Sequence, residues 1–142
     1  GPYELRERLG GTLDASAIAD HDPDELVEVF RAKPALHRFP GSMAKRTQAL
    51  CRHLAEEFDA DPAAIWEDAA SADVLLERLS SLPGFGEEKS RILIAVLGRH
   101  LGVTPDGWEA VQAEFPSIAD VSDFADMPAV RERKRAWKAR KA

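Results

Sequence analysis

Hydrophobic and polar residues along this chain recur with the spacing of α-helices, and no segment alternates as a half-buried β-strand does. Helix-capping residues support this prediction, because Asp14 and Asp22 each precede a short apolar stripe and Pro23 stands at a first helical position. We predict helices over residues 3–9, 14–19, 23–30, 42–58, 61–66, 73–82, 87–101, 107–114 and 127–140. The predicted fold class is therefore all-α.

The segment from Glu87 to Leu101 is the most apolar of these helices. Its residues 92–97 are all hydrophobic, so apolar side chains lie nearly all round the helix and we expect it to be the buried central one. The long helix capped by Ser42 has a single apolar face instead, and its polar face carries Lys45 and Arg46.

Length and composition allow one helical domain over residues 1–142, since 44% of the residues are hydrophobic and can form a core. The single cysteine, Cys51, excludes a disulfide framework and a four-cysteine metal site within this chain. The four histidines are far apart, and we expect neither a metal nor a cofactor. No signal peptide is recognisable and the longest apolar run is too short to cross a bilayer, so we expect a cytoplasmic protein.

Charge is distributed unevenly along the chain. The formal net charge is −6, but residues 131–142 carry seven basic side chains against one acidic side chain. The other 130 residues therefore carry 12 basic against 24 acidic side chains, which makes the body of the protein a poor non-specific binder of polyanions. Any contact with nucleic acid is expected to use local basic patches and backbone donors.

The stretch "LPGFG", which ends at Gly86, separates two predicted helices by a sharp turn. Gly84 and Gly86 allow backbone angles that other residues avoid, and they let another molecule approach the main chain. The unpaired N–H groups at the start of the next helix then suit a DNA phosphate, independently of base sequence. The alternative is a tight helical corner without a ligand, which the acidic Glu87 and Glu88 favour in part.

Spacing excludes two nucleotide-binding motifs at this turn. The phosphate-binding loop of NTPases has Gly directly before Lys-Ser, whereas Glu88 precedes Lys89 here. A dinucleotide-binding fingerprint follows a strand, and a helix is predicted before this turn.

The stretch "LPGFGEEKSRILIAVLGRHLGVTPDGW", residues 82–108, resembles the helix-hairpin-helix DNA glycosylase superfamily, in which a Gly/Pro-rich loop ending in Asp follows the hairpin. The match is ungapped from Gly84 to Asp106, and the upstream "FPGSMAKRTQALCRHLAEEFDADPAAIW" is similar to the same family. The whole chain resembles a small actinobacterial subfamily of base-excision-repair-type proteins. The resemblance implies an all-α fold of two helical lobes with a base pocket between them, a hairpin at about 73–101 and an Asp-containing loop at 102–107.

The resemblance also implies roles for individual residues. Asp106 would stabilise the oxocarbenium-like sugar as the glycosidic bond breaks, or would activate a water to attack C1′, and it would lie within reach of the sugar adjoining the bound phosphate. The residues holding the backbone of damaged double-stranded DNA would be Gly84, Phe85, Gly86, Lys89 and Ser90. The aromatic candidates for lining the pocket of the flipped base are Trp108, Trp66 and Phe39.

Several of these roles have a structural alternative. Asp106 would equally serve as the cap of the helix that follows it. For Trp66 and Phe39, packing in the core is the favoured interpretation, because large apolar side chains usually lie there.

The chain departs from the family pattern at three places. Members that open the sugar through a Schiff base have Lys two residues after the second hairpin glycine, where this chain has Glu88; Lys89 lies about 100° further round the helix. This difference favours a monofunctional glycosylase. The iron–sulfur cysteines of some members are missing. The chain also begins inside a predicted helix, so we expect the earlier helices of the family to be lacking, and the surface exposed by their loss would favour a homodimer.

Two basic regions are further candidates for phosphate contact. The C-terminal stretch "RERKRAWKARK" predicts a basic helix at about 127–140 that tracks phosphates, with Trp137 as an anchor. The favoured alternative is a solvated terminal helix with Val130 and Trp137 packed on the body of the protein. Lys45 and Arg46 begin a helix that the family places near DNA, and a solvated face is the alternative for them.

The leading hypothesis is thus a monofunctional base-excision DNA glycosylase-like protein. The second is a non-catalytic helix-hairpin-helix module that binds DNA, which Glu88 and the acidic body favour. A third is a hairpin that serves only as a helix corner in a protein–protein module.

Overall fold

The computed structural model describes residues 1–141, and every regular element in them is helical, which confirms the all-α class. The described chain forms two compact units. The first contains residues 1–64 and 82–84, and the second contains residues 65–81 and the chain from residue 85 onward. A short 3-10 turn, Pro62–Ile65, stands where the predicted helix 61–66 was expected.

The first unit is built on one long helix. Its four helices are α1 (Pro2–Arg8), α2 (Ala15–Asp20), α3 (Pro23–Arg31) and α4 (Pro40–Glu57), and both α2 and α3 pack on α4. Its core is formed by the buried side chains of Leu5, Ile18, Ala19, Leu26, Phe30, Ala44 and Cys51.

The predicted caps of α2 and α3 are confirmed. The Asp14 carboxylate accepts the Ala17 N–H at 2.7 Å, and one Asp22 oxygen accepts the N–H groups of two residues in the first turn of α3. These bonds satisfy backbone donors that have no partner within their own helix. Local sequence therefore determines where both helices begin.

The predicted N-cap of α4, Ser42, is wrong by three residues. Pro40 is the first helical residue and Phe39 the N-cap, because the fixed φ of proline suits the first helical position. The buried face of α4 also contains Gln48, which the apolar pattern missed. Its amide donates to the His21 carbonyl at 2.6 Å, so the polar group is buried with a partner.

The second unit contains both helices of the hairpin. Its helices are α5 (Ala72–Ser81), α6 (Glu87–Leu101), α7 (Trp108–Val111) and α8 (Met127–Lys141). Two 3-10 turns, Ile118–Asp120 and Phe124–Asp126, stand between α7 and α8. The fully buried side chains of α5 and α6 belong to Ala72, Leu75, Leu79, Ser90, Ile94 and Ala95.

The predicted bounds of α6 are confirmed, and α8 extends one residue beyond its predicted C-terminal end. The helix predicted over 107–114 is shorter, since Gln112 is extended and Ala113 donates its N–H to the Arg91 carbonyl of α6 at 3.1 Å. A tertiary hydrogen bond thus ends α7 early. Within residues 1–141, none of the helices has the length and apolar character needed to span a membrane.

Candidate nucleic-acid interface

The two glycines of the turn differ in backbone conformation. Gly84 has φ +82, in the left-handed region that favours glycine. Gly86, the N-cap of α6, has φ −110 and ψ 174, which any residue adopts, so Gly86 does not use the conformational freedom that glycine allows. A Cβ added at Gly86 would meet no atom within 4 Å. The space in front of Gly86 is therefore open to another molecule.

The first turn of α6 offers backbone donors. Neither the Glu87 N–H nor the Glu88 N–H donates to an acceptor among residues 1–141. The next donors are occupied, because the Ser90 N–H and the Ser90 hydroxyl both donate to the Gly86 carbonyl, at 3.0 and 3.1 Å. Ser90 is also fully buried. The structure therefore contradicts Ser90 as a direct phosphate ligand and makes it a local stabiliser of this turn.

An arginine outside the predicted set of site residues organises the charges here. Arg91 donates to Glu87 at 2.9 Å and to the Val111 carbonyl at 2.7 Å. Glu87 is therefore balanced by a neighbouring cation, whereas the exposed Glu88 has no ion pair within the described chain. The four-residue spacing of Glu87 and Arg91 is a sequence signal from which this pair was predictable. Lys89, in the same turn, is exposed.

The loop after α6 is held by its main chain. Gly102 ends the helix in the left-handed conformation, and the Val103 N–H donates to the Leu97 carbonyl at 3.1 Å. The Asp106 carbonyl accepts the N–H of Ala72, the first residue of α5, at 2.8 Å. This bond satisfies an unpaired donor of α5 and positions Asp106.

The Asp106 carboxylate makes no hydrogen bond to the described chain. The residue is exposed, and the N-cap of α7 is Gly107, which has φ +80 and no side-chain cap bond. The alternative that Asp106 caps the next helix is therefore wrong. Its main chain is fixed while its carboxylate faces solvent, which is an arrangement that leaves an acidic group available to a ligand.

The Asp106 loop and the glycine turn lie at opposite ends of α5. Asp106 is bonded to Ala72, whereas the turn follows Ser81, and ten helical residues at 1.5 Å each separate the two ends by about 15 Å. That the carboxyl group reaches the sugar adjoining a phosphate at the turn stays a prediction.

The three aromatic candidates have different surroundings. Trp108 is partly buried and lies against Gly98 of α6, so packing already uses part of its ring. Trp66 is partly buried in the second unit. Phe39 belongs to the first unit, is 56% exposed, and has the Arg38 guanidinium 4.5 Å from its ring centroid. The favoured interpretation of core packing is wrong for Phe39. Phe85, after the first hairpin glycine, is partly buried.

The basic candidates are available to solvent. Lys45 and Arg46 are exposed on α4 and make no ion pair or side-chain hydrogen bond within the described residues. On α8, Val130 is buried and the Trp137 ring lies 5.1 Å from that of Phe115, which confirms the predicted packing of these two residues. No group of three or more His, Cys, Asp or Glu side chains in residues 1–141 is arranged to hold a metal ion.

Comparison with known proteins identified no relative of this chain. No family model, curated protein or solved structure matches the chain.

Proposed function

We propose that this chain is a base-excision DNA glycosylase-like protein of the helix-hairpin-helix superfamily. In this proposal the first turn of α6 binds the backbone of damaged duplex DNA, and Asp106 assists cleavage of the N-glycosidic bond of a flipped base. The observation that carries the proposal is the Asp106 loop. Its main chain is bonded to the start of α5, while its carboxylate is exposed without a partner in the described chain.

The turn contributes binding rather than chemistry. The N–H groups of Glu87 and Glu88 donate to no acceptor within the described residues, and Gly86 leaves the space in front of them open. Such donors at a helix start favour an anion because of the helix dipole. Arg91 balances Glu87 and so reduces the repulsion of a phosphate.

Asp106 supplies the chemical step. As the C1′–N bond breaks, its electrons leave with the base, and positive charge that develops on the sugar is stabilised by the carboxylate. A water oxygen then bonds to C1′, one of its protons passes to the carboxylate or to solvent, and the departing base takes up a proton. Glu88, at the position where lyase members have Lys, makes the proposed enzyme monofunctional.

The test uses duplexes that each carry one lesion, including uracil, hypoxanthine, an alkylated purine, an oxidised guanine and a mismatch. Base release is measured as strand breakage after alkali. The wild type is expected to release at least one base, and Asp106→Asn is expected to lower that rate by about 10² or more. Glu109→Gln removes one exposed negative charge from α7 and is the matched control, with an unchanged rate expected. The enzyme proposal fails if the wild type releases no base from any duplex.

The second candidate function is a non-catalytic module that binds duplex DNA. One observation favours it: the Trp108 ring already packs against Gly98 and is therefore less available to a flipped base. This candidate predicts salt-sensitive binding that survives Asp106→Asn and is weakened by Gly86→Val. The valine would fill only space that is open and would adopt a φ that it tolerates, so a fall in DNA affinity with an unchanged melting temperature would report on the DNA contact.

A further inference from the structure

The helix α8 concentrates positive charge. It carries seven Lys or Arg residues and one Glu, and none of them forms an ion pair within the described chain. The rest of the protein has twice as many acidic as basic side chains. A polyanion is therefore attracted to α8 and repelled by most other surfaces.

The inward face of α8 is already used. Val130 is buried, and Trp137 lies on Phe115. The ammonium group of Lys134 is 5.3 Å from the Phe115 ring centroid, and that of Lys141 is 4.5 Å from the Trp137 ring centroid. The apolar residues of α8 thus face the rest of the second unit, and no apolar stripe is left to enter a lipid layer. This arrangement argues against a membrane surface as the partner.

The outward face of α8 carries a stripe of exposed cations at positions i, i+4 and i+7, formed by Arg131, Arg135 and Lys138. Arg131 and Arg135 also border an open hollow of about 340 Å³ with Pro128 and Glu132, the one acidic residue of the helix. Arginine suits phosphate because its planar fork donates two parallel hydrogen bonds to phosphate oxygens.

A short segment of the second unit connects α6 with α8. The Ala113 N–H donates to the Arg91 carbonyl, and two residues later Phe115 contacts Trp137. The path from Arg91 to Trp137 therefore consists of one hydrogen bond, the three residues 113–115 and one ring contact. The two residues thus lie within about 25 Å of each other. A duplex of about eight base pairs covers that distance.

We infer that the stripe Arg131, Arg135 and Lys138 is a second contact surface for the phosphate backbone of duplex DNA. The inference rests on the DNA-binding function proposed above and names a surface outside the hairpin that supplies affinity. Because these contacts are made to phosphates, they add affinity without base preference.

The experiment measures binding of a fluorescent 20-base-pair duplex to the full chain by anisotropy, over a range of salt concentrations. The variant Arg131→Gln/Lys138→Gln removes two cations from the outward stripe. The matched control, Arg133→Gln/Arg140→Gln, removes two exposed cations with the same seven-residue spacing from a face about 160° away. Circular dichroism melting verifies that both variants remain folded.

The stripe variant is expected to bind about tenfold more weakly or worse at 0.1 M salt. Its plot of log K against log salt is expected to flatten by about 0.9 for each phosphate that the protein no longer neutralises. The control is expected to keep the wild-type slope. Equal weakening in both variants would show an effect of net charge alone and would overturn the inference, as would unchanged binding in both.

Binding of anionic lipid by α8 is tested with the same proteins. Vesicles containing anionic lipid are mixed with the wild type and with the stripe variant. If the stripe variant fails to bind the vesicles while it keeps its duplex affinity, the inferred partner is wrong.

The contribution of the hairpin is measured separately from that of α8. Gly86→Val and Asp106→Asn are titrated with the same duplex. Gly86→Val could leave duplex binding unchanged, and no base could be released, while the stripe variant still binds the duplex more weakly. That combination would support the α8 surface and would overturn the hairpin and glycosylase proposals.

Discussion

The ring of Trp108 lies so close to Gly98 of α6 that a Cβ at position 98 would be 2.4 Å from the ring carbon Cζ3. Glycine in the middle of a helix lowers stability by up to about 1 kcal/mol relative to alanine, so its presence here has a packing reason. The close approach holds the residue that follows the Asp106 loop, two positions after Asp106, against the central helix. Position 98 thereby helps to fix the candidate catalytic loop.

We therefore expect Gly98→Ala to destabilise the wild type by up to about 2 kcal/mol, because overpacking of about 1–3 kcal/mol exceeds the gain in helix propensity. In a Trp108→Ala background the clash is absent, and the same substitution should stabilise by up to about 1 kcal/mol. Urea unfolding of the four proteins measures both effects. Gly41→Ala in α4, where the nearest atom to the added Cβ is 3.8 Å away, is the control without a clash. The same sign in both backgrounds would disprove the packing explanation.

Asp106→Asn is expected to leave the free energy of unfolding within about 0.5 kcal/mol of the wild type, because its exposed side chain makes no bond to the described protein. Asp14→Ala, which removes a real cap, should cost about 0.5–2 kcal/mol in the same urea titration. A decrease above about 1 kcal/mol for Asp106→Asn would mean that the carboxylate has a structural role.

Asp126 is expected to make the stability of the folded protein depend on pH in the acidic range. The N–H groups of Asp123 and then Ser122 donate to its carboxylate and lower its pKa in the folded protein. Its stabilising contribution is thus complete above the unfolded pKa, about 3.9, and is lost as the pH falls through the lower folded pKa. Asp126→Asn should lower the melting temperature at pH 7, and the difference from wild type should shrink below about pH 4. Glu132→Gln, without an ion pair in the described chain, is the control and should show no such convergence.

Cys51 is expected to react slowly in the folded protein. Burial, and secondarily the Asp14 carboxylate, raise the pKa of its thiol, which lies beside a largely apolar cavity of about 440 Å³. Its contribution to stability is present below the unfolded pKa, about 8.5, and is lost as the pH rises through the higher folded value. Labelling by iodoacetamide at pH 8 should be at least about tenfold slower than in urea-unfolded chain. Equal rates would contradict the proposed burial of the thiol.

The hydrophobic pattern and the capping residues were sufficient for much of the helical structure. The bounds of α6 and the caps Asp14 and Asp22 depend on residues a few positions apart, so sequence alone predicts them. Near Phe39 the prediction fails, because a side chain's exposure depends on distant residues that local patterns do not report. Ser90 is a similar case, since a hydroxyl on a helix face is solvated or buried according to what packs against that face.

By itself, the sequence determined that the chain is helical, where most helices begin and end, and that positive charge concentrates at the C-terminal end. Only the tertiary structure decided that Asp106 leaves its carboxylate unbonded, that its carbonyl accepts a hydrogen bond from the first residue of α5, and that α8 turns its apolar residues inward. Caps and periodicity arise from neighbours along the chain, whereas the position of a functional group in space depends on which distant segments pack together and satisfy each other's backbone donors.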